Sequence, residues 1–184
     1  MKKAVGPGFK SRRGRQPKLN FEEKYFFKRK QILHMHVEYS SELSVSIDRA
    51  WNFLSNTNNV VNCFPEVENI ETISPSEYKV KIRSKKIGPI TLSLTLDVKV
   101  KNIDPEEKKA EIEIHGSGAG AKFAVNITAS LKPKDTDKVV VTYVGDVELG
   151  GFTKLLGKEK AMEEIEKFVK TFFENLKSRI ERIS

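Results

Sequence analysis

Alternating apolar and polar residues recur along most of the chain and predict a series of β-strands. From Met35 to Ile47 the apolar residues share one parity, which is interrupted by Ser41. The same period of two returns in five later segments, at residues 78–82, 90–100, 110–114, 123–131 and 139–149. Turn-forming residues such as Gly88-Pro89 separate these segments. Strands joined by short turns pair in antiparallel fashion, so we expect an antiparallel sheet.

Three segments have the spacing of helices instead. Residues 46–56 predict one short helix, and residues 56–67 predict a second one that ends before Pro65. After Gly150-Gly151, apolar residues recur at intervals of three and four with charged residues between them, which predicts a long amphipathic helix. The order is therefore a strand, two short helices, the later strands, which bring the total to about seven, and a long helix. This order predicts an α+β domain.

The glycine-rich stretch HGSGAGAKF, residues 115–123, raises the question of a phosphate-binding loop. Such loops need G-x-x-x-x-G-K-[ST] or G-x-G-x-x-G between a strand and a helix. Neither spacing is present, since Phe123 follows Lys122 where the first motif requires Ser or Thr. Because the stretch lies between two predicted strands, it predicts a hairpin turn or a bulge.

The predicted sheet is too wide for one helix to cover it. About seven strands at roughly 4.8 Å spacing span about 30 Å, whereas a helix is about 10–12 Å across. We expect the sheet to curl around the C-terminal helix, helped by Gly116, Gly118, Gly120 and Gly145. A curled sheet around one helix leaves space between them, which is either filled by side chains or kept for a ligand.

The candidate lining of this space is apolar. The strands contribute Ile82, Leu94, Leu96, Ile114, Phe123, Val125, Val141 and Tyr143, and the helical part contributes Phe152, Leu156, Phe168 and Phe172. Each of these residues also fits an ordinary core position, so the sequence does not separate a filled core from a pocket. Phe152, Leu155 and Leu156 follow the pair Gly150-Gly151 and are candidates for an entrance gate, although a helix start packed on the sheet is the simpler interpretation of them.

Charge divides the chain at about residue 34. The net charge is +8, and residues 1–34 contain eleven Lys or Arg against two Glu, so the remainder is close to neutral. We predict a basic, disordered arm at residues 1–34 and one domain at residues 35–184. A near-neutral domain argues against nucleic-acid binding by the fold itself. The arm could attach the protein to an anionic membrane surface or to RNA, could be an idle tail, or could precede a true start at Met35.

Residues with metal-binding or nucleophilic chemistry are few. His34, His36 and His115 are the three histidines, and no Cys, His and carboxylate group has metal-ligand spacing. The single cysteine, Cys63, excludes an internal disulfide and fits a reducing cytoplasm, and a buried thiol is its simplest interpretation. No apolar run reaches the length of a membrane span. We therefore expect a cytoplasmic protein with no metal and no cofactor, although peripheral contact with the membrane remains open.

Four runs resemble one known family in their order and spacing. They are NCFPEVENIE (62–71), KKIGPITLSLTLDVKVKNIDPEEK (85–108), GSGAGAKF (116–123) and VGDVELGGFTKLLGKEKAMEEIEKFVKTFFENL (144–176). The chain resembles the helix-grip superfamily of START domains, Bet v 1-like proteins and polyketide cyclases. Within this superfamily it resembles the CoxG family, whose members are similar to the CoxG subunit of carbon monoxide dehydrogenase. The resemblance covers about residues 35–180.

This resemblance implies a helix-grip fold with an elongated apolar cavity. It also implies non-enzymatic binding of a hydrophobic or lipid-like ligand, with a quinone among the candidates. The same likeness implies an accessory role beside a molybdenum-containing carbon monoxide dehydrogenase or a related hydroxylase. The sequence departs from the family at Pro65-Glu66, where members often have Pro-Gly, and it has no apolar tail after the last helix, so we expect no anchoring by that route.

An enzyme on the same fold is the alternative. A small cyclase or dehydratase would need ionisable groups that point inward. Tyr78 and Tyr143 are the candidate proton donors, because they occupy the alternate strand positions that are otherwise apolar and are expected to face inward. An apolar interior without further ionisable groups favours binding over catalysis.

Overall fold

The computed structural model describes residues 17–27 and 32–182. Its strands are β1 (Lys18–Phe27), β2 (Ile32–Leu43), β3 (Val67–Ser74), β4 (Glu77–Ile87), β5 (Ile90–Asp104), β6 (Lys109–Gly118), β7 (Ala121–Asp135) and β8 (Lys138–Gly150). Its helices are α1 (Ile47–Leu54), α2 (Thr57–Val61), α3 (Phe152–Leu156) and α4 (Lys158–Arg182). The predicted α+β class, the two short helices and the long C-terminal helix are confirmed, with a break at Gly157 that separates α3 from α4.

All eight strands form one antiparallel sheet in the order β1-β2-β8-β7-β6-β5-β4-β3. Strands that follow one another in the chain are neighbours, except that β2 pairs with β8, from Ile32 opposite Gly150 to Leu43 opposite Val139. Strand β3 lies at the far edge, so α1 and α2 carry the chain from one side of the sheet to the other. This connection covers one end of the inner face, which is the face that packs against the helices.

Strand β1 lies in the segment whose charge predicts a disordered arm. It pairs with β2 from Lys18 opposite Ser40 to Phe27 opposite Ile32. Leu19 and Phe21 are two residues apart, so both side chains reach the inner face and pack on the core. The expectation of disorder is therefore wrong for residues 18–27, and the sheet has eight strands where the sequence predicts about seven. The remainder of the predicted arm, residues 1–16 and 28–31, lies outside the described residues.

An ion pair also joins β1 to the C-terminal helix. The Lys158 Nζ atom at the start of α4 lies 2.7 Å from a Glu23 carboxylate oxygen. In addition, β2 begins at Ile32, three residues before the predicted start at Met35. The ordered fold therefore extends across the domain boundary that the charge pattern predicts.

Aromatic stacking fixes the C-terminal half of α4 to the sheet. The Phe173 ring stacks on the Tyr39 ring, with centroids 3.8 Å apart and planes 4° apart, and lies 4.9 Å from the Tyr143 ring. Leu176 and Ile180 continue this buried stripe along the helix. They belong to the same core cluster as Trp51 and Phe53 of α1. The helix is therefore anchored to the sheet at the end that α1 covers.

The glycine-rich stretch forms the β6–β7 hairpin, which confirms the prediction. Ala119 and Gly120 form the turn with φ values of 50° and 79°, and two successive positive φ values are the requirement of a type I′ turn. Gly116 makes room for the Phe123 ring on the inner face, because a Cβ there would lie 2.0 Å from the ring carbon Cε1. A Cβ at Gly145 would lie 2.2 Å from the Asn126 carbonyl oxygen, so β7 and β8 approach closely at this glycine.

Candidate functional site

The inner face of the sheet is unevenly covered by the helices. On one side of it, β2 and β8 contribute the buried residues Met35, Val37, Tyr39, Val141, Tyr143 and Val147. On the other side, β4 and β5 contribute the buried residues Tyr78, Val80, Ile82, Leu96 and Val98. The strands between them contribute the central stripe, the half-buried residues Ile112, Ile114, Phe123, Val125, Ile127 and Ala129 of β6 and β7. Inward-facing apolar residues in the middle of a sheet are normally its most deeply buried residues. The partial exposure of the central stripe therefore indicates incomplete contact between the sheet and the helix.

Helix α4 presents a matching set of half-buried apolar residues. These are Ile165, Phe168, Val169 and Phe172. Phe168 and Phe172 pack against the same core cluster as Ile112 and Ile114 of the stripe. Both surfaces keep part of their area accessible, whereas Phe173, one residue further along α4, is only 3% exposed. The facing, half-buried apolar residues of the central stripe and of the middle of α4 are called the groove from here on.

A small pocket lies at the end of the groove that is covered by α1 and α2. Its volume is about 20 Å³, and it is lined by Trp51, Leu54, Val60, Lys108, Ala110, Ile112, Ala129, Ser130, Leu131, Val141 and Tyr143. Ile112 and Ala129 belong to both the pocket and the central stripe, so the pocket continues the groove. A space of this size holds about one water molecule or one polar group of that size, and a whole lipid chain does not fit in it.

The twelve predicted lining residues fall into distinct places. Val141 and Tyr143 line the pocket, while Ile114, Phe123, Val125, Phe168 and Phe172 border the groove. Leu94 and Leu156 are half-buried beside it, and Ile82, Leu96 and Phe152 are buried core residues. Contact of these residues with a ligand stays a prediction.

Several residues of the groove and pocket were not among the sequence candidates. Ile112, Ile127 and Ala129 lie on the same face of their strands as the predicted lining residues. The alternation of apolar and polar residues therefore indicates them as well. Trp51 and Lys108 come from a helix and a turn and enter the pocket through tertiary contacts. No local pattern in the sequence indicates these two.

Tyr143 is a pocket-lining residue whose hydroxyl is buried. The residue is 4% exposed, and its hydroxyl oxygen has no hydrogen-bond partner within residues 17–27 and 32–182. Burial raises the pKa of Tyr143 far above its ordinary value of 10, so the hydroxyl keeps its proton and acts as a donor. A buried donor without a partner is unfavourable by about 1–3 kcal/mol.

Lys108 adds a positive charge to the same pocket. Its ammonium nitrogen lies 5.4 Å from the centroid of the Trp51 ring, which is cation–π distance. The residue is half-buried at the β5–β6 turn and has a φ of 53°. No carboxylate pairs with this ammonium group in the described part of the chain.

Helix α3 closes the opposite end of the groove. It lies between Gly151 and Gly157, whose φ values are 81° and 80°. Phe152 is buried, and its ring centroid lies 6.1 Å from that of Phe123. Leu156 is half-buried against the same core cluster. The burial of Phe152 agrees with a helix start packed on the sheet, and a gating role for α3 stays a prediction.

Cys63 is a buried residue, which agrees with the simplest interpretation of the sequence. Its Sγ atom donates a hydrogen bond to the Asn59 carbonyl oxygen at 3.2 Å. Burial raises the pKa of the thiol to about 11. A thiol with that pKa is a poor nucleophile at neutral pH.

The histidines lie on the outer face of the sheet beside carboxylates. His36 Nδ1 is 3.1 Å from Asp146 Oδ1, and His115 Nε2 is 2.7 Å from Glu113 Oε1. Across the described residues, no group of three or more His, Cys, Asp or Glu side chains could hold a metal ion. Over the same residues, no helix is both long enough and apolar enough to cross a membrane.

Several solved structures have folds similar to that of this chain. A conserved protein from Geobacillus kaustophilus superposes with a TM-score of 0.69 at 18% identity over 80% of this chain and 95% of that chain. A START superfamily protein from Mycobacterium smegmatis superposes with a TM-score of 0.56 at 18% identity, over 81% of this chain and 99% of that chain. Norcoclaurine synthase from Thalictrum flavum superposes with a TM-score of 0.56 at 13% identity, over 81% of this chain and 94% of that chain. The protein therefore has the helix-grip fold, a curved antiparallel sheet around a long C-terminal helix.

Within this fold class, the sequence defines the family. The family model for CoxG, a carbon monoxide dehydrogenase subunit, matches residues 40–181, and the chain belongs to this family. This confirms the resemblance that the four sequence runs indicate. Comparison with curated proteins found no match.

Proposed function

We propose that the protein binds a hydrophobic or lipid-like molecule in the apolar groove and acts as a non-catalytic accessory protein. The partner that family membership supports is a molybdenum-type carbon monoxide dehydrogenase or a related hydroxylase. A quinone is one candidate for the bound molecule, because such enzymes pass electrons to acceptors. Peripheral contact with a membrane belongs to the same proposal, since a lipid-like cargo is taken up there.

The central stripe is the observation that supports ligand binding. Six apolar side chains in the middle of the sheet keep accessible area although an amphipathic helix lies over them. Each square ångström of apolar surface removed from water contributes about 25 cal/mol, so a ligand that covers both the stripe and the facing residues of α4 is held mainly by the hydrophobic effect. The pocket of about 20 Å³ alone is too small for this role, so binding requires α4 or α3 to move away from the sheet.

Catalysis of the cyclase type has less support. Norcoclaurine synthase shares the fold, which keeps an enzyme under consideration. An enzymatic site would need a Tyr together with a carboxylate, but the lining of the pocket around Tyr143 includes no Asp or Glu. The hydroxyl of Tyr143 keeps its proton because its pKa is raised, so it does not act as a base.

Binding can be tested with a matched pair of variants on opposite faces of the sheet. Val125 lies in the central stripe on β7, and Val144 is exposed on the outer face of β8. Val125→Phe fills the groove, whereas Val144→Phe adds the same ring where no groove exists. Purified wild-type protein is analysed by native mass spectrometry for bound apolar molecules and is titrated with the apolar dye Nile red.

We expect the wild-type protein to retain an apolar molecule or to bind the dye. Val144→Phe should behave like the wild-type protein, and Val125→Phe should bind at least fivefold more weakly. Circular dichroism checks that both variants are folded. The proposal is wrong if the wild-type protein neither carries nor takes up an apolar molecule, or if the two variants bind equally well.

A further inference from the structure

The two halves of α4 are held against the sheet by different kinds of contact. Most of the buried side chains of this helix lie in its C-terminal half, at Phe173, Leu176 and Ile180. That half also bonds directly to β2, since the Lys177 ammonium donates a hydrogen bond to the Glu42 carbonyl oxygen at 2.6 Å. Within residues 158–169, Ala161 is the buried residue, and its single methyl group contributes little apolar area.

A β-bulge in β4 turns a lysine towards the N-terminal half of α4. Ile82 pairs with Leu94 and Lys85 pairs with Leu92, so two residues of β4 lie opposite one residue of β5. Lys85 therefore shares the inner face with Leu92, whereas strict alternation from Ile82 would turn it outward. Its ammonium group donates a hydrogen bond to the Glu164 Oε2 atom of α4 at 2.8 Å.

A second ion pair holds the other side of the same half. Lys158, the first residue of α4, donates a hydrogen bond to a Glu23 carboxylate oxygen of β1 at 2.7 Å. Strands β1 and β4 lie on opposite sides of β6 and β7, which contain the central stripe. The pairs Lys85–Glu164 and Glu23–Lys158 therefore tie α4 to the sheet on both sides of the groove, and they are called the cross-groove pairs below.

We propose that residues 158–169 form a strap that the cross-groove pairs hold closed, and that breaking these pairs opens the groove. This inference rests on the proposed function, because it assigns the movement that gives a ligand access to the same groove. The strap tilts away from the sheet while the C-terminal half of α4 stays anchored. A Cβ at Gly157 would meet no non-neighbouring atom of the described chain within 4 Å, so the start of the strap has room to move.

The exposure of the cross-groove pairs makes the strap the weaker attachment of α4. The Lys85 and Lys158 side chains are 59% and 42% exposed. Exposed ion pairs contribute little stability and are screened by salt, whereas the burial of Phe173 is not screened. Lys85 lowers the pKa of Glu164 through its hydrogen bond, so this carboxylate stays ionised at neutral pH. The strap should therefore open before the anchored half does, and it should open more often at high ionic strength.

Opening can be measured without any ligand by the labelling of a cysteine beneath the strap. Val125 of the central stripe packs against the same core cluster as Ile165 of the strap, so Val125→Cys places a thiol that the closed strap covers. Val144→Cys places a thiol on the exposed outer face as the control. Both are labelled with iodoacetamide at pH 8 and analysed by peptide mass spectrometry, which separates them from the buried Cys63. The reagent is neutral, so changes of surface charge do not alter its approach.

Glu163 provides the matched control for Glu164. Each of these two carboxylates lies within 4.0 Å of the ammonium groups of Lys160 and Lys167 on the same helix. Glu164 additionally reaches Lys85 on the sheet. Glu163→Gln and Glu164→Gln therefore remove the same contacts within the helix, and only Glu164→Gln removes a cross-groove pair. Lys85→Gln removes that pair from the side of the sheet and leaves α4 unchanged.

Glu164→Gln and Lys85→Gln should each accelerate the labelling of Val125→Cys about threefold, within the range that one exposed ion pair allows. The two substitutions together should also give about threefold, because they break the same pair. Adding Glu23→Gln to Glu164→Gln should give about tenfold, since it breaks the second pair. Glu163→Gln should leave the rate unchanged. Stopped-flow uptake of Nile red, measured without the added cysteine, should accelerate by the same factors.

Salt gives a second measure of the same opening. Raising NaCl from about 50 mM to about 500 mM should accelerate the labelling of Val125→Cys two- to threefold when both cross-groove pairs are present. The variant that lacks both pairs should respond much less. Val144→Cys should react at one rate in every background, and circular dichroism checks that the variants are folded.

The inference and the proposed function fail in different ways. If Glu164→Gln and Lys85→Gln label Val125→Cys no faster than Glu163→Gln does, while Nile red binds the wild-type protein, the groove binds apolar molecules and only the strap is wrong. Equal acceleration at Val144→Cys would mean general unfolding and would also overturn the strap. If labelling responds as expected but the wild-type protein neither carries nor takes up an apolar molecule, the strap is right and the proposed function is wrong.

Discussion

Replacement of Phe173 by alanine tests how tightly α4 is attached to the sheet. The ring is 3% exposed and stacks on Tyr39 at 3.8 Å, with Tyr143 at 4.9 Å. The matched variant is Phe168→Ala, which removes the same ring from the same helix five residues earlier, where the side chain is half-buried over the groove. Together the two variants compare the anchored part of α4 with the part that borders the groove.

The expected magnitudes differ by a factor of about three. Removing a buried phenylalanine lowers the free energy of unfolding by about 3–5 kcal/mol, because transfer energy and the cavity both contribute. For a domain of this size, about 2–4 °C is lost per kcal/mol, so Phe173→Ala should lower the melting temperature by about 6–20 °C. Phe168→Ala removes a partly exposed ring, so we expect it to lower the free energy of unfolding by only about 1–1.5 kcal/mol.

Urea unfolding followed by far-UV circular dichroism measures both variants. The slope of free energy against urea should stay constant, because the surface exposed on unfolding hardly changes. Phe168→Ala should also alter Nile red binding, whereas a Phe173→Leu variant, which keeps most of the buried volume, should not. Equal destabilisation by the two alanine substitutions would mean that α4 is packed evenly along its length. The groove would then not exist in solution, and the reasoning from the central stripe would be refuted.

Three further predictions concern other parts of the fold. With a pKa of about 11, Cys63 is about one-thousandth thiolate at pH 8, so iodoacetamide should label the native protein far more slowly than the urea-unfolded protein; equal rates would contradict its burial. The pKa of Glu113 is lowered to about 2 by Lys101 and His115, so its stabilising effect is present above about pH 4.5 and is lost as the pH falls towards 2. The stability difference between wild type and Glu113→Gln in urea should therefore shrink over this range, and a constant difference would exclude the effect. Deletion of residues 1–27 removes β1 and exposes the edge of β2, so we expect a lower melting temperature and aggregation in light scattering, and unchanged behaviour would show that β1 is dispensable.

Local patterns account for the parts of the fold that were predicted correctly. The period of two between residues 78 and 149 and the period of three to four after Gly151 follow from one amphipathic surface per element. The hairpin at residues 115–123 also follows from local chemistry, since Gly120 accepts a positive φ without strain. The order of these elements and the four family-like runs were sufficient to indicate the helix-grip fold.

The first strand was missed because its local pattern is weak. Leu19 and Phe21 alternate with polar residues over only a few positions, and the surrounding Lys and Arg residues suggest an arm. Pairing with β2 supplies the backbone hydrogen bonds, and packing of Leu19 and Phe21 on the core supplies apolar burial. Both of these stabilising contributions come from residues distant in the chain.

Which side chains face inward could be read from the order of residues alone, because it depends on the parity and periodicity of each element. How closely the facing surfaces approach is a property of the folded chain, which leaves Val125 half-buried while Phe173 is covered. Folding also brings Trp51 of α1, Lys108 of a turn and Tyr143 of β8 into one pocket. The physical reason is that helix–sheet separation and the pairing of a buried hydroxyl are set by contacts between residues far apart in the chain, and no local pattern records them.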